Sequence, residues 1–119
     1  MDRRSVVNAL DPTLIRFARR LHDELGAERV LLFGSHARGT AYSDSDYDLI
    51  IVADYFATIP PLRRQAGLRQ KFYEVGGHAP MDLICVTPDE FEAAKGRATL
   101  VQAVLPEAID LLEPESASA

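Results

Sequence analysis

The sequence predicts a small mixed α/β fold, one β-sheet with helices packed on it. Three observations carry that expectation. Short, continuous apolar runs at 29–33, 47–53 and 81–86 have the length and the boundaries of buried strands. Segments of helical spacing alternate with them, giving the order αββαβααβ. The length, 119 residues, suits a single domain able to bury its own core.

The first helix is expected to start at Asp11-Pro12, where Asp can cap and Pro suits the first helical position. Leu14, Ile15, Ala18, Leu21 and Leu25 recur at helical spacing, and Gly26 supplies a stop. Residues 29–33 form the first strand, ended by Gly34. Residues 34–45 hold two glycines, three serines and a threonine, the composition of an elaborate loop or a short helical turn. The second strand, 47–53, contains Leu49-Ile50-Ile51-Val52. These two strands are the most hydrophobic parts of the chain and should lie centrally in the sheet. Pro60-Pro61 should open a helix carrying Leu62, Ala66, Leu68, Phe72 and Val75, ended by Gly76-Gly77. The third strand is 81–86. Thr87-Pro88-Asp89-Glu90 repeats the signature of a helix start. A short helix at 98–105 stops near Pro106, and 108–112 suits a last edge strand. The domain is expected to span 1–113, with 114–119 a flexible tail.

Composition narrows the function. Thirteen basic against eighteen acidic residues give a net charge of −5, which argues against direct nucleic-acid binding over a general basic surface. A local patch stays open: Arg63, Arg64, Arg69 and Lys71 read either as a solvated helix face or as a docking patch. Cys85, the single cysteine, sits in an apolar run and suits a core thiol. The N-terminus leads into no stretch of signal-peptide length, and no apolar run approaches the ~20 residues that span a bilayer. A cytoplasmic, reduced setting without membrane contact is the expectation.

Three features carry chemistry. Gly34-Ser35 follows a strand directly, with Arg38 and Gly39 close behind. Glycine lets backbone approach a ligand, free N–H groups can meet phosphate oxygens, and Arg38 adds a fixed positive charge. Asp46-Tyr47-Asp48 opens the second strand, and residues at i and i+2 of a strand share a face. Two such carboxylates repel, so a cation is their natural partner, and oxygen-only ligands favour a hard ion such as Mg²⁺. Asp82 begins the third strand. If that strand lies beside the second, Asp82 becomes a third carboxylate near the pair.

Rival motifs fail. Asp44, Asp46 and Asp48 begin like a calcium-hand loop, but Leu49 stands where its glycine is required and Tyr55 where its closing Glu belongs. No Walker pattern and no Rossmann fingerprint occur. His22 and His78 have no companion at zinc-ligand spacing, and His36 reads as an exposed loop histidine.

Together, Gly34-Ser35, ten intervening residues, and Asp46-x-Asp48, with Ala37-Arg38-Gly39 in the gap, resemble the nucleotidyltransferase signature of the polymerase-β superfamily. The stretch GSHARGTAYSDSDYDLIIV, residues 34–52, is similar to the minimal nucleotidyltransferase (MNT) branch almost throughout. MDLICV supplies the expected third aspartate, and residues 107–113 resemble the last strand of that family. The resemblance implies a polymerase-β-like nucleotidyltransferase fold. It implies that Gly34 and Ser35 hold the β- and γ-phosphates of ATP, and that Asp46 and Asp48 bind two Mg²⁺ ions. Asp82 would complete the metal site and help deprotonate the acceptor hydroxyl. Arg38 would support the loop or the triphosphate, or pair with Asp44 or another loop acid. MNT proteins often accompany a helical HEPN protein, an RNase toxin whose tyrosine they can modify. The implied role is an antitoxin that moves AMP from ATP to a HEPN toxin. Two alternatives stand beside it: neutralisation by complex formation alone, and a small-molecule nucleotidyltransferase of the antibiotic-modifying kind. Base preference and pairing with another copy of the chain are left open.

Overall fold

The structure, a computed structural model, describes residues 3–42 and 45–113. The tail at 114–119 and the Asp44 alternative for Arg38 lie outside these residues. In chain order the elements are α1 (Arg3–Asn8), α2 (Pro12–Leu25), β1 (Arg29–Phe33), α3 (Ser35–Arg38), β2 (Tyr47–Val52), α4 (Leu68–Glu74), β3 (Met81–Val86), α5 (Pro88–Lys95), α6 (Leu100–Val104) and β4 (Ile109–Asp110). Two 3-10 turns, Asp54–Thr58 and Pro61–Arg63, lie between β2 and α4.

The four strands form one mixed sheet in the order β3-β2-β1-β4, with β1 and β2 central as their hydrophobicity requires. β1 runs antiparallel to β2 and β4, and β2 runs parallel to β3. Side chains alternate across the sheet and feed two cores. On one face Leu32, Leu49, Ile51 and Leu83 pack with Phe17 and Leu21 of α2 and Phe72 of α4. On the other, Leu31, Phe33, Ile50 and Val52 pack with Phe91 of α5 and with Val101 and Val104 of α6.

The caps behave as the sequence suggests. Asp11 accepts from the Thr13 N–H at 2.9 Å, and Gly26 ends α2 in the left-handed region. Thr87 and Glu90 form a reciprocal capping box at the start of α5. Thr99 caps α6. Among the described residues no helix is long and apolar enough to cross a membrane.

Two expectations need correction, and one element is additional to them. The helix expected from Pro60-Pro61 starts only at Leu68. Gly67 before it is left-handed at φ +80°, which breaks helical continuity, and Arg64 turns inward instead of lying on a helix face. Arg64 is 6% exposed and donates to the Ile59 and Cys85 carbonyls and, through two nitrogens, to Glu90. The strand expected at 108–112 pairs only at Ile109–Asp110, because the Asp110 carboxylate accepts from the Leu112 N–H and turns the chain. Residues 3–8, unassigned from sequence, form α1: they are few and carry two valines, so helix propensity gives little signal.

Candidate active site

The candidate residues meet at one end of the sheet, where β1 ends and β2 and β3 begin. Tyr47 points into the core containing α2 and α4; its ring lies 6.2 Å from that of Phe72 in a T-shaped contact. Alternation then sends Asp48 to the opposite face, in line with Ile50 and Val52. The parallel register sets Asp48 directly beside Asp82. The arrangement that made Asp82 relevant, β3 beside β2, is therefore present.

Gly34, just past β1, has φ +77° and ψ −158°, a conformation a side-chain-bearing residue adopts only with strain. A Cβ at this position would collide with the Asp48 carboxylate. Glycine is thus required twice, for its backbone angles and for the space Asp48 occupies. One helical turn follows, α3, held by the Ala37 and Arg38 N–H groups donating to the Gly34 carbonyl and anchored by buried Ala37.

Burial pushes the Asp48 carboxyl above its ordinary range. The neighbouring Asp82 and Asp46 charges push it further, and His36 opposes them. Such acids are relieved by a cation, and all-oxygen donors suit a hard divalent one. The three do not form a finished cage: among the described residues no group of three His, Cys, Asp or Glu side chains is set to hold a metal ion. Asp48 and Asp82 are brought together, while Asp46 stays exposed on the stretch before β2.

His36 is not the exposed loop residue its setting suggested. It is half-buried, its Nε2 donates to the Ser45 carbonyl at 2.9 Å, and its ring lies 4.2 Å from Tyr47. It staples α3 to the chain leading into Asp46. Arg38 pairs with Glu107, Nη1 to Oε2 at 2.8 Å, and the same oxygen accepts the Gly34 N–H at 3.2 Å. Glu107 was legible only as part of a strand-like C-terminal run. Its distance in sequence from Arg38 gave no sign of the contact.

Of the basic cluster, Arg63 is exposed while the other three engage groups of the chain itself. Arg64 is buried, Arg69 donates to the Met81 carbonyl through two nitrogens, and Lys71 pairs with Glu24. Two clefts lie away from the carboxylates. One of about 380 Å³ is walled by Leu10, Leu14, His36, Tyr42 and Tyr47, behind α3. Another of about 420 Å³ lies by Arg19, Arg29 and Asp110.

A mixed sheet that presents a glycine turn and paired acids at one end is the frame of a nucleotidyl-transferring domain. Residues 14–117 match the nucleotidyltransferase domain family, and the chain belongs to it. A protein of Methanocaldococcus jannaschii named "Putative protein adenylyltransferase MJ1305" is 42% identical over 53 residues. That stretch is 44% of this chain and 35% of the relative, so the chain spans about a third of that protein's length. A crystal structure of "a putative nucleotidyltransferase from Sulfolobus solfataricus" superposes with a TM-score of 0.53 at 17% identity, over 76% of this chain and 78% of that one. BolA1 from Arabidopsis thaliana superposes with a TM-score of 0.53 at 17% identity, over 68% of this chain and 98% of that one. At that identity the two structures show a shared fold and nothing more.

Proposed function

We propose that this chain transfers AMP from ATP to a hydroxyl group in a Mg²⁺-dependent reaction, with a tyrosine of a HEPN-type toxin as the acceptor. The observation that carries the reading is the placement of Asp48 and Asp82 side by side next to a glycine turn. The name of the M. jannaschii relative supports a protein as acceptor.

In this reading Ser35 and Arg38 contact the β- and γ-phosphates, and Gly34, whose N–H is held by Glu107, gives them room to approach. Asp46, Asp48 and Asp82 are the residues that would hold Mg²⁺, and their clustered charge fits that role. The metal, when bound, offsets the charge of the triphosphate and of the leaving pyrophosphate. Asp82, exposed at the strand start, takes the proton of the acceptor hydroxyl. The acceptor oxygen bonds to the α-phosphorus as the bond from that phosphorus to the bridging oxygen breaks, and pyrophosphate departs. Gly34 and Asp48 fix the angle between the phosphate turn and the acids because they touch.

The test is incubation with ATP, Mg²⁺ and a HEPN-type protein encoded beside this chain, read by intact mass. An AMP-sized increment on the partner is expected with the wild type and none with Asp46→Asn. No increment with the wild type, or an equal one with the variant, defeats the proposal. An Asp46→Ala/Asp48→Ala protein that still silences its partner fully would establish complex formation as the mode of action.

A further inference from the structure

Glu107 reaches the phosphate turn from the far end of the chain. It follows α6 in a turn whose Glu107 N–H donates to the Val104 carbonyl at 3.1 Å. The antiparallel register Leu31↔Asp110, Leu32↔Ile109, carried two residues further, sets Glu107 opposite Gly34. There its side chain, not its backbone, takes the Gly34 N–H, and the same Oε2 takes Nη1 of Arg38. Backbone turn and Gly34 together hold the carboxylate in place.

Stability alone explains little of this contact. The Arg38 side chain is 52% exposed and that of Glu107 27%, and ion pairs so open to water contribute little to folding. What the contact does is restrict a long, mobile cation. Glu107 engages one nitrogen of the guanidinium and leaves Nη2 and Nε, which have no other partner among the described residues. A guanidinium held at one corner presents its remaining N–H groups in a fixed plane, the geometry that suits phosphate oxygens.

We infer that Glu107 is a positioning residue: it holds Arg38 beside Gly34 so that the guanidinium is set in advance for the terminal phosphates of the nucleotide. The inference rests on the nucleotide reading given above. Ordering one long side chain in advance is worth about 2- to 10-fold in affinity, and the effect should fall on the β- and γ-phosphates alone.

The experiment is calorimetric titration of the full chain with ATP and, separately, with AMP, both in Mg²⁺. The proteins are wild type, Glu107→Ala, Glu107→Gln, Arg38→Ala and the Arg38→Ala/Glu107→Ala pair, each checked for a cooperative melt. Glu107→Ala should weaken ATP by about 2- to 10-fold and leave AMP unchanged, with Glu107→Gln between it and the wild type. In the Arg38→Ala background, removing Glu107 should cost far less than it does in the wild type, because most of its effect passes through Arg38 and only the Gly34 contact is left to lose. Equal losses for ATP and AMP, or the same loss in both backgrounds, would overturn the inference. Tighter ATP binding would also overturn it and make Glu107 a competitor for the turn. A wild type that binds no ATP defeats the nucleotide reading itself. A wild type that binds ATP while Glu107→Ala is unchanged defeats only the role of Glu107.

Discussion

Asp48 carries a carboxyl that the fold makes costly to ionise. Burial, Asp82 and Asp46 all raise its pKa above the ordinary value. A raised acid binds its proton more tightly folded than unfolded, so its ionisation penalty is absent at low pH. The penalty grows as pH rises from the ordinary carboxylate range through the raised value, and is complete above it. Asp48→Asn, which cannot ionise, should therefore melt a few degrees higher than wild type at neutral pH without divalent metal. The gain should shrink as pH falls into the carboxylate range, and shrink again when Mg²⁺ is added. Thermal melts across pH and metal check both. A variant that melts lower at neutral pH would mean that Asp48 stabilises the fold rather than straining it. The residues proposed for this chemistry were visible in the sequence by type and spacing: Gly34, Ser35, Asp46, Asp48 and Asp82. The side chains packed around them were not. His36 on the Ser45 carbonyl and Glu107 on Arg38 depend on how distant segments meet, and a lone histidine or glutamate carries no local mark of its partner.

At the level of elements, the ends of helices were legible because capping is written in adjacent residues. Asp11-Pro12, Gly26 and Thr87-Pro88-Asp89-Glu90 all sit where the structure starts or stops a helix. Thr87→Ala removes the side-chain half of the α5 capping box and should cost about 1 kcal/mol. Differential scanning calorimetry should show a drop of roughly 4 °C for a domain of this size. An unchanged midpoint would mean that packing of Phe91, not the cap, sets the start of α5. Residues 60–75 misled because their apolar spacing is helical while their fold is set by tertiary contacts. Arg64 is drawn to three carbonyl and carboxylate partners beneath the segment, a pull that periodicity does not record.

For the whole molecule, the sheet has one long edge, β3, and that edge is guarded. The Pro80 and Val86 carbonyls accept from Tyr47 and Ala53 on the β2 side, so alternation turns the Met81 and Cys85 carbonyls outward. Arg69 covers the first and Arg64 the second. Unpaired strand edges invite pairing with another chain, and side chains that occupy their carbonyls discourage it. Arg69→Ala should expose the Met81 end and increase self-association at high concentration, measured by sedimentation velocity. An unchanged sedimentation profile would show that the edge is protected by other means. Arg64 and Arg69, two of the four basic residues read as a helix face or a docking patch, are spent on the chain's own backbone.

The register that puts Asp48 beside Asp82 also ties accuracy of folding to presence of the site. A slip of one residue between β2 and β3 would turn Asp82 toward the α2 and α4 core and move Met81 and Leu83 to the face that carries α5 and α6. Molecules with a misaligned sheet are thus penalised for burying a charge and for emptying part of the first core at once. The population that folds well and the population that carries the acid pair are the same molecules, and selection for one would serve as quality control for the other.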